Sequence, residues 1–219
     1  MNNIKYLLFS RFKIIVLPIV AATLSIFLLM VRMKLTYSFY FLFLVWNLFL
    51  AIVPFAISTY MTSLSQLNKF GALIGFGIWL LFVPNAPYII TDLFHLKNSS
   101  HDILWLDVLV VSSFALTGVL LFFLSLLDIE LIMKRYWQRK TISFLMLPLF
   151  FVISFGMYLG RYLRFNSWEV LQHPLTIFND IWSILAHPNQ HLSAWTFTIS
   201  FGIFLGIGYW LFKSIRNAN

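Results

Sequence analysis

The feature that most limits this chain is a series of long apolar runs, with charge confined mainly to the gaps between them. Residues 14–31, for example, hold no charged side chain over 18 positions. A helix rises 1.5 Å per residue, so about 20 residues cross the roughly 30 Å hydrocarbon core of a bilayer. The runs predict an all-α polytopic transmembrane bundle of six helices, at about 14–31, 38–60, 71–90, 104–127, 141–160 and 193–212. Together they form one transmembrane domain over residues 1–219. Only 10% of residues are charged, against about 25% in a soluble domain. The first run is longer than the usual apolar part of a signal peptide, and no small-x-small cleavage site follows it. It reads as a retained helix.

The net charge of +8 comes from basic residues scattered among the loops, a pattern that signals topology rather than nucleic-acid binding. The 25 phenylalanines suit lipid contact and helix packing, not stacking on bases. With no cysteine, disulfides, thiolate metal sites and cysteine nucleophiles are excluded. Ten Lys and Arg fall on the side holding Lys5, Arg11, Lys69, Lys134, Arg135 and the C-terminal tail. Five fall on the other, at Arg32, Lys34, Lys97, Arg161 and Arg164. Positive loops stay inside, so both termini are expected in the cytoplasm.

Helix 3 is expected to break. Pro84 and Pro87 lack backbone donors, so the carbonyls of Leu80 and Val83 would lose their i+4 partners. Hydrocarbon supplies no replacement, so protein or a wet cavity must. The 13 residues from Gly71 to Val83 are too short to cross the bilayer. The Pro-Asn-Ala-Pro segment therefore lies in its last third, or the helix is re-entrant. Residues 174–187, between helices 5 and 6, carry Leu175, Phe178, Trp182 and Leu185 on one stripe, with Asn179 and Asp180 opposite. Pro174 suits its start and Pro188 its stop. This is expected to be an interfacial helix.

The predicted orientation gathers polar residues on the outer face. Asp92 and His95 are spaced i,i+3, and Glu169 and His173 i,i+4, spacings that put acid and imidazole on one helical face. Neither pair is a known metal motif, and no metal site is assigned. Asn166-Ser-Trp-Glu169 reads as a capping box. Asp107 suits either a helix start or a site carboxylate. Arg161 and Arg164, placed against the positive-inside tendency, suit an anionic partner or lipid headgroups. Asp128 and Glu130 read as part of a solvated cytoplasmic loop. Depth counting places Asn85, Asp107 and Arg161 at similar levels and predicts one polar cluster. Small residues in the shared pattern around Gly71, Gly75, Gly77 and around Gly202, Gly206, Gly208 are expected to admit close helix packing.

Three stretches resemble domain-of-unknown-function family 1361: Phe82-Val-Pro-Asn-Ala-Pro-Tyr-Ile-Ile-Thr-Asp-Leu-Phe-His-Leu96, Leu-Asp-Val-Leu at 106–109, and Ser-Phe-Gly-Met-Tyr-Leu-Gly-Arg-Tyr-Leu-Arg-Phe-Asn-Ser-Trp-Glu169. The resemblance covers about residues 40–210, with Phe165 where the family pattern has tryptophan. It implies a bacterial integral membrane protein and supplies no mechanism. The expected function is an outward-facing, membrane-embedded site that binds or processes an amphipathic anionic lipid or lipid-linked substrate. Asp92, His95 and Asp107 are the candidate catalytic residues. Asn85, Tyr88, Arg161, Arg164, Asn166, Trp168 and Glu169 are the candidate substrate contacts. Membrane lipids are the expected partners, and the cofactor is unknown. The alternatives are a small-solute transporter or channel, and an assembly factor.

Overall fold

The computed structural model describes residues 11–64, 66–99, 101–165 and 167–218. Lys5 and Asn166, both used in the sequence reading, lie outside the described residues. Described residues form helices and turns with no strand. Six helical segments are long and apolar enough to cross a membrane. The chain divides into two units, Met1–Tyr136 and Trp137–Asn219.

In the first unit, α1 (Phe12–Thr36), α2 (Phe43–Ser63) and α3 (Lys69–Phe82) lead to the single turn α4 (Asn85–Tyr88). A 3-10 segment, Ile89–Asn98, follows, and after a second short 3-10 turn comes α5 (Leu104–Met133). The side chain of Asn68 caps α3 by accepting from Gly71 N–H at 2.7 Å. Helix α5 is the centre, packed by α1, α2, α4 and the 3-10 segment. Twenty of its thirty residues are buried, as expected of a helix apolar on every side.

Several helices run past their predicted ends, α1 and α5 of the first unit among them. α1 continues through Arg32 to Thr36, and α5 through Asp128 and Glu130 to Met133. The physical reason is pairing. Arg32 meets Asp107 at 2.9 Å, and Arg11 meets Asp128. A charge with a buried partner need not end an apolar helix. Asp128 and Glu130 are thus buried helix residues, not a solvated loop.

The break in helix 3 is seen, but the carbonyl of Val83 is not orphaned. It accepts from Ala86 N–H at 3.1 Å, one residue earlier than an α-helix would pair it. The segment seats on Gly118 of α5, where an added Cβ would lie 2.5 Å from the Ala86 carbonyl oxygen. Gly75 likewise admits Met61 of α2, whereas nothing approaches Gly77.

In the second unit, α6 (Arg139–Tyr162) and α9 (Leu192–Ala218) form an antiparallel hairpin. Phe150 meets Tyr209, Tyr158 meets Phe197, and Gly202 admits Phe151. Between the two helices lie α7 (Glu169–Gln172) and α8 (Pro174–Ala186). Pro174 opens α8, as read from the sequence. Its Leu175, Phe178, Trp182 and Leu185 stripe is exposed, while Ile177 and Ile184 are buried.

Candidate functional site

The polar side chains of the first unit collect at the two ends of α5. At one end, Arg11 pairs with Asp128. Thr59 also donates to Asp128 at 2.8 Å, and the Ser58 hydroxyl, which faces the Phe55 carbonyl at 3.1 Å, lies 3.5 Å from the same carboxylate. Arg135 donates to the Thr62 and Leu64 carbonyls nearby in the chain fold, at 2.8 and 2.7 Å. This ties the segment after α5 to the end of α2.

At the other end lie the unit's candidate residues. Asp107 is fully buried and accepts from Arg32 Nε at 2.9 Å. Arg32 places Nη1 on the Ser38 carbonyl at 3.0 Å, and its guanidinium sits 4.8 Å from the Phe41 ring centroid. The second oxygen of Asp107, Oδ2, is buried without a hydrogen-bond partner. Asp92 is buried on the 3-10 segment and accepts from Asn47 Nδ2 at 2.7 Å. His95 lies one 3-10 turn further on, with Nδ1 at 3.3 Å from the Tyr40 hydroxyl. Asn98 donates to the same hydroxyl at 2.8 Å. Asn85 and Tyr88, both half-buried, flank Ala86 and Pro87 in α4, and the Tyr88 carbonyl accepts from Thr91 Oγ1 at 2.7 Å.

The remaining candidates belong to the second unit. Arg161 is half-buried in the last turn of α6. Arg164 is exposed just beyond it, with φ of 59°. That left-handed backbone is uncommon for a residue with a Cβ, and here the next N–H, of Phe165, turns back to the Leu159 carbonyl at 3.2 Å. Trp168 is exposed and Glu169 half-buried. Helix α7 begins at Glu169, so Glu169 stands at the first helical position rather than the third that a capping box requires. Among the described residues, no three His, Asp or Glu side chains gather as a metal-ligand set.

Sequence reasoning missed Arg11, Arg32, Tyr40 and Asn98 as partners of the acids and the histidine. Asn47, a polar residue within an apolar run, suits an interhelical hydrogen bond, and in the structure that bond ends on Asp92. One signal was available for the arginines. Arg11 and Arg32 are 21 residues apart, and so are Asp107 and Asp128.

These features define an all-helical protein with six segments long and apolar enough to cross a membrane, consistent with a multi-pass membrane protein, with buried ion pairs at both ends of its central helix. A family model described as "Protein of unknown function (DUF1361)" matches residues 46–207, and the chain belongs to that family. No curated protein and no solved structure matches the chain.

Proposed function

We propose that the protein is a bacterial plasma-membrane protein with both termini cytoplasmic and an outward-facing site for an amphipathic anionic substrate, lipid or lipid-linked. One observation carries this reading. Four buried side-chain polar atoms lack partners among the described residues, and Asp107 Oδ2 is the only one on an ionisable group. An unmet charged acceptor is costly in a buried setting and calls for an explanation in function. In this reading Asp107 or Asp92 takes a proton from the substrate, with His95 as its acid–base partner. In the second unit, taken by itself, Arg161 and Arg164 suit an anionic group. In the first unit Asn85 and Tyr88 contact the polar portion, and in the second Trp168 and Glu169 are candidates of their own.

Packing supports a blind site over a through-path for a small solute. Along α5 between Asp107 and Asp128, the buried residues include Val110, Val111, Phe114, Leu121 and Phe122. The hydroxyl of Ser125 links Trp79 Nε1 to the Pro54 carbonyl, at 2.6 and 3.2 Å. The orientation is supported by the ends themselves. Arg11 and Arg135 share one end of the first unit, where Lys69 and Lys134 also fall in the sequence.

The test is calorimetric binding of short-chain phosphatidic acid to the purified, maltoside-solubilised protein. Asp107→Asn and the double variant Arg161→Ala/Arg164→Ala are expected to weaken binding about ten-fold or more, one interaction of roughly 1.4 kcal/mol being ten-fold. Asp107→Asn should lose more binding than stability. Wild-type binding in both variants, or no binding by the wild type, sinks the reading. A reporter fused at Asn189 should read external, and a cytoplasmic signal there would reverse the orientation.

A further inference from the structure

Helix α8 carries two apolar faces, and only one of them is covered. At about 100° per residue, Ile177, Ile181 and Ile184 fall on one side of the helix. Ile177 and Ile184 are buried there and Ile181 is half-buried. Leu175, Phe178, Trp182 and Leu185 fall within an arc of about 80°, roughly a third of a turn further round. Each of these four is at least 50% exposed. The rings of Phe178 and Trp182, one turn apart, lie nearly parallel, at 12° and 6.4 Å between centroids. They widen the stripe into a flat apolar surface. Thr176, Asn179, Asp180 and Ser183 occupy the remaining side.

The helix is held in place at its C-terminal half. Ser183 Oγ lies 3.2 Å from His191 Nε2, and Trp195 Nε1 donates to the Ile184 carbonyl at 3.3 Å. Trp195 belongs to the first turn of α9. These bonds tie α8 to the start of α9 and set which way the exposed face points.

Level, side-chain chemistry and charge together say what covers that face. Both α6 and α9 are long and apolar enough to cross a membrane. They are antiparallel, and α8 lies on the connection from the end of one to the start of the other. A helix tied to the first turn of a span lies where the hydrocarbon begins. With 13 residues, α8 is about 20 Å long and too short to cross the bilayer itself. Its exposed side chains suit that boundary. Tryptophan is enriched at the headgroup level, and leucine and phenylalanine are the residues that interfacial helices bury just below it. Charge then narrows the kind of lipid. Asp180 is the sole charged residue of α8, which has no Lys or Arg. Helices that favour anionic lipid carry basic residues on their polar face, and α8 has none to offer.

We propose that the face formed by Leu175, Phe178, Trp182 and Leu185 is seated in the boundary layer of the bilayer, with α8 lying along the membrane surface, and that apolar contact holds it there whatever the headgroup charge. The occupant of the face is lipid rather than a second copy of the chain. This inference does not rest on the anionic-substrate reading.

The chain contains no cysteine, so single cysteines can be labelled without background. The full chain, in phosphatidylcholine nanodiscs, receives a nitroxide at one position at a time. Leu175→Cys, Phe178→Cys, Trp182→Cys and Leu185→Cys sample the stripe, and Thr176→Cys and Asn179→Cys the polar side. All of these residues are exposed, so the substitutions leave the core intact. The stripe positions report independently should one variant fold poorly. Power saturation compares collisions with oxygen, which concentrates in lipid, and with a neutral nickel chelate, which stays in water. Oxygen is expected to dominate at the four stripe positions and nickel at Thr176 and Asn179. Replacing phosphatidylcholine with phosphatidylglycerol should leave this pattern unchanged. Nickel dominating along the stripe would place the face in water. Exclusion of both reagents there would mean that protein covers it, a second copy or another segment. Either result overturns the proposal. An oxygen signal that appears only in phosphatidylglycerol overturns its independence of headgroup charge.

Discussion

Asp107 and Asp128 stand 21 residues apart on α5, roughly 31 Å along the axis, and each meets an arginine of the α1 strand of chain. The arginines are also 21 residues apart. The buried residues Pro18, Ser25 and Arg32 of α1 follow Arg11 at seven-residue steps, and on α5 the buried Phe114, Leu121 and Asp128 follow Asp107 likewise. A seven-residue repeat keeps one face of each helix turned to the other. The ion pairs thus sit at the two ends of one antiparallel seam, about a hydrocarbon thickness apart. Their saturation differs. Asp128 has Arg11 and two hydroxyls, while Asp107 has Arg32 and an oxygen with no partner. The Arg11 side chain is 19% exposed and that of Arg32 only 6%. One end is fully paired and the other keeps a carboxylate oxygen without a hydrogen-bond partner, which is why the proposed function falls on Asp107.

The largest effect should come from stranding the less satisfied acid. Arg32→Gln leaves a fully buried carboxylate without its charge partner, a loss of about 3–5 kcal/mol. Arg11→Gln leaves Asp128 with Thr59 and Ser58, and is expected to cost less, about 1.5–3 kcal/mol. Denaturation of the two detergent-solubilised variants compares them directly. Equal losses, or a larger one for Arg11→Gln, would remove the asymmetry between the ends.

A smaller effect is expected midway. Gly118 lies on α5 eleven residues after Asp107 and ten before Asp128. In Gly118→Ala the new methyl would meet the Ala86 carbonyl oxygen at 2.5 Å and Ile89 Cδ1 at 3.0 Å. Backbone cannot rotate away as a side chain can, so α4 must shift, at a cost of about 1–3 kcal/mol. Since α4 leads directly into the 3-10 segment, the His95 resonances should move. Introducing the same substitution into Arg11→Gln should give additive losses, because the Arg11–Asp128 lock shares no contact with Ala86. Strong non-additivity would mean that the two ends communicate.

Much of this was legible from residue pattern alone. The apolar runs gave six spans, and Pro84 with Pro87 placed the break. The repair at Val83 was hidden, because proline rules describe the missing α-helical bond and not the tighter bond from Ala86 that replaces it. The ends of α1 and α5 were hidden for a different reason. Hydropathy scores Arg32 and Asp128 one at a time, as charges that end a span, while their burial depends on partners some 75 and 117 residues away in sequence. The equal spacings were visible, but spacing does not fix rotation about the helix axis. Tyr40 and Asn98 were out of reach for a similar reason. Nothing in the sequence showed that residues 89–98 would wind with three residues per turn.

The smallest effect is predicted at a polar contact midway along the seam. Ser25 and Thr117 place their hydroxyl oxygens 3.2 Å apart. Each hydroxyl also lies on the carbonyl four residues before it, Ala21 at 3.0 Å and Ser113 at 2.8 Å. Three contacts therefore compete for two protons. If both protons stay on the carbonyls, none is left for the contact between the helices, and it adds little. Even a fully formed bond of this kind inside a membrane averages about 0.6 kcal/mol. Ser25→Ala should thus change stability by no more than that, measured in the same denaturation series. It should leave the binding of short-chain phosphatidic acid untouched. A loss of 2 kcal/mol or more, above the roughly 1.7 kcal/mol maximum for such bonds, would show that the middle of the seam holds α1 and α5 together. The contrast between the ends would then be one feature of a continuously polar interface. A loss near zero leaves hydrophobic packing along the middle and assigns the polar energy of the seam to Asp107 and Asp128.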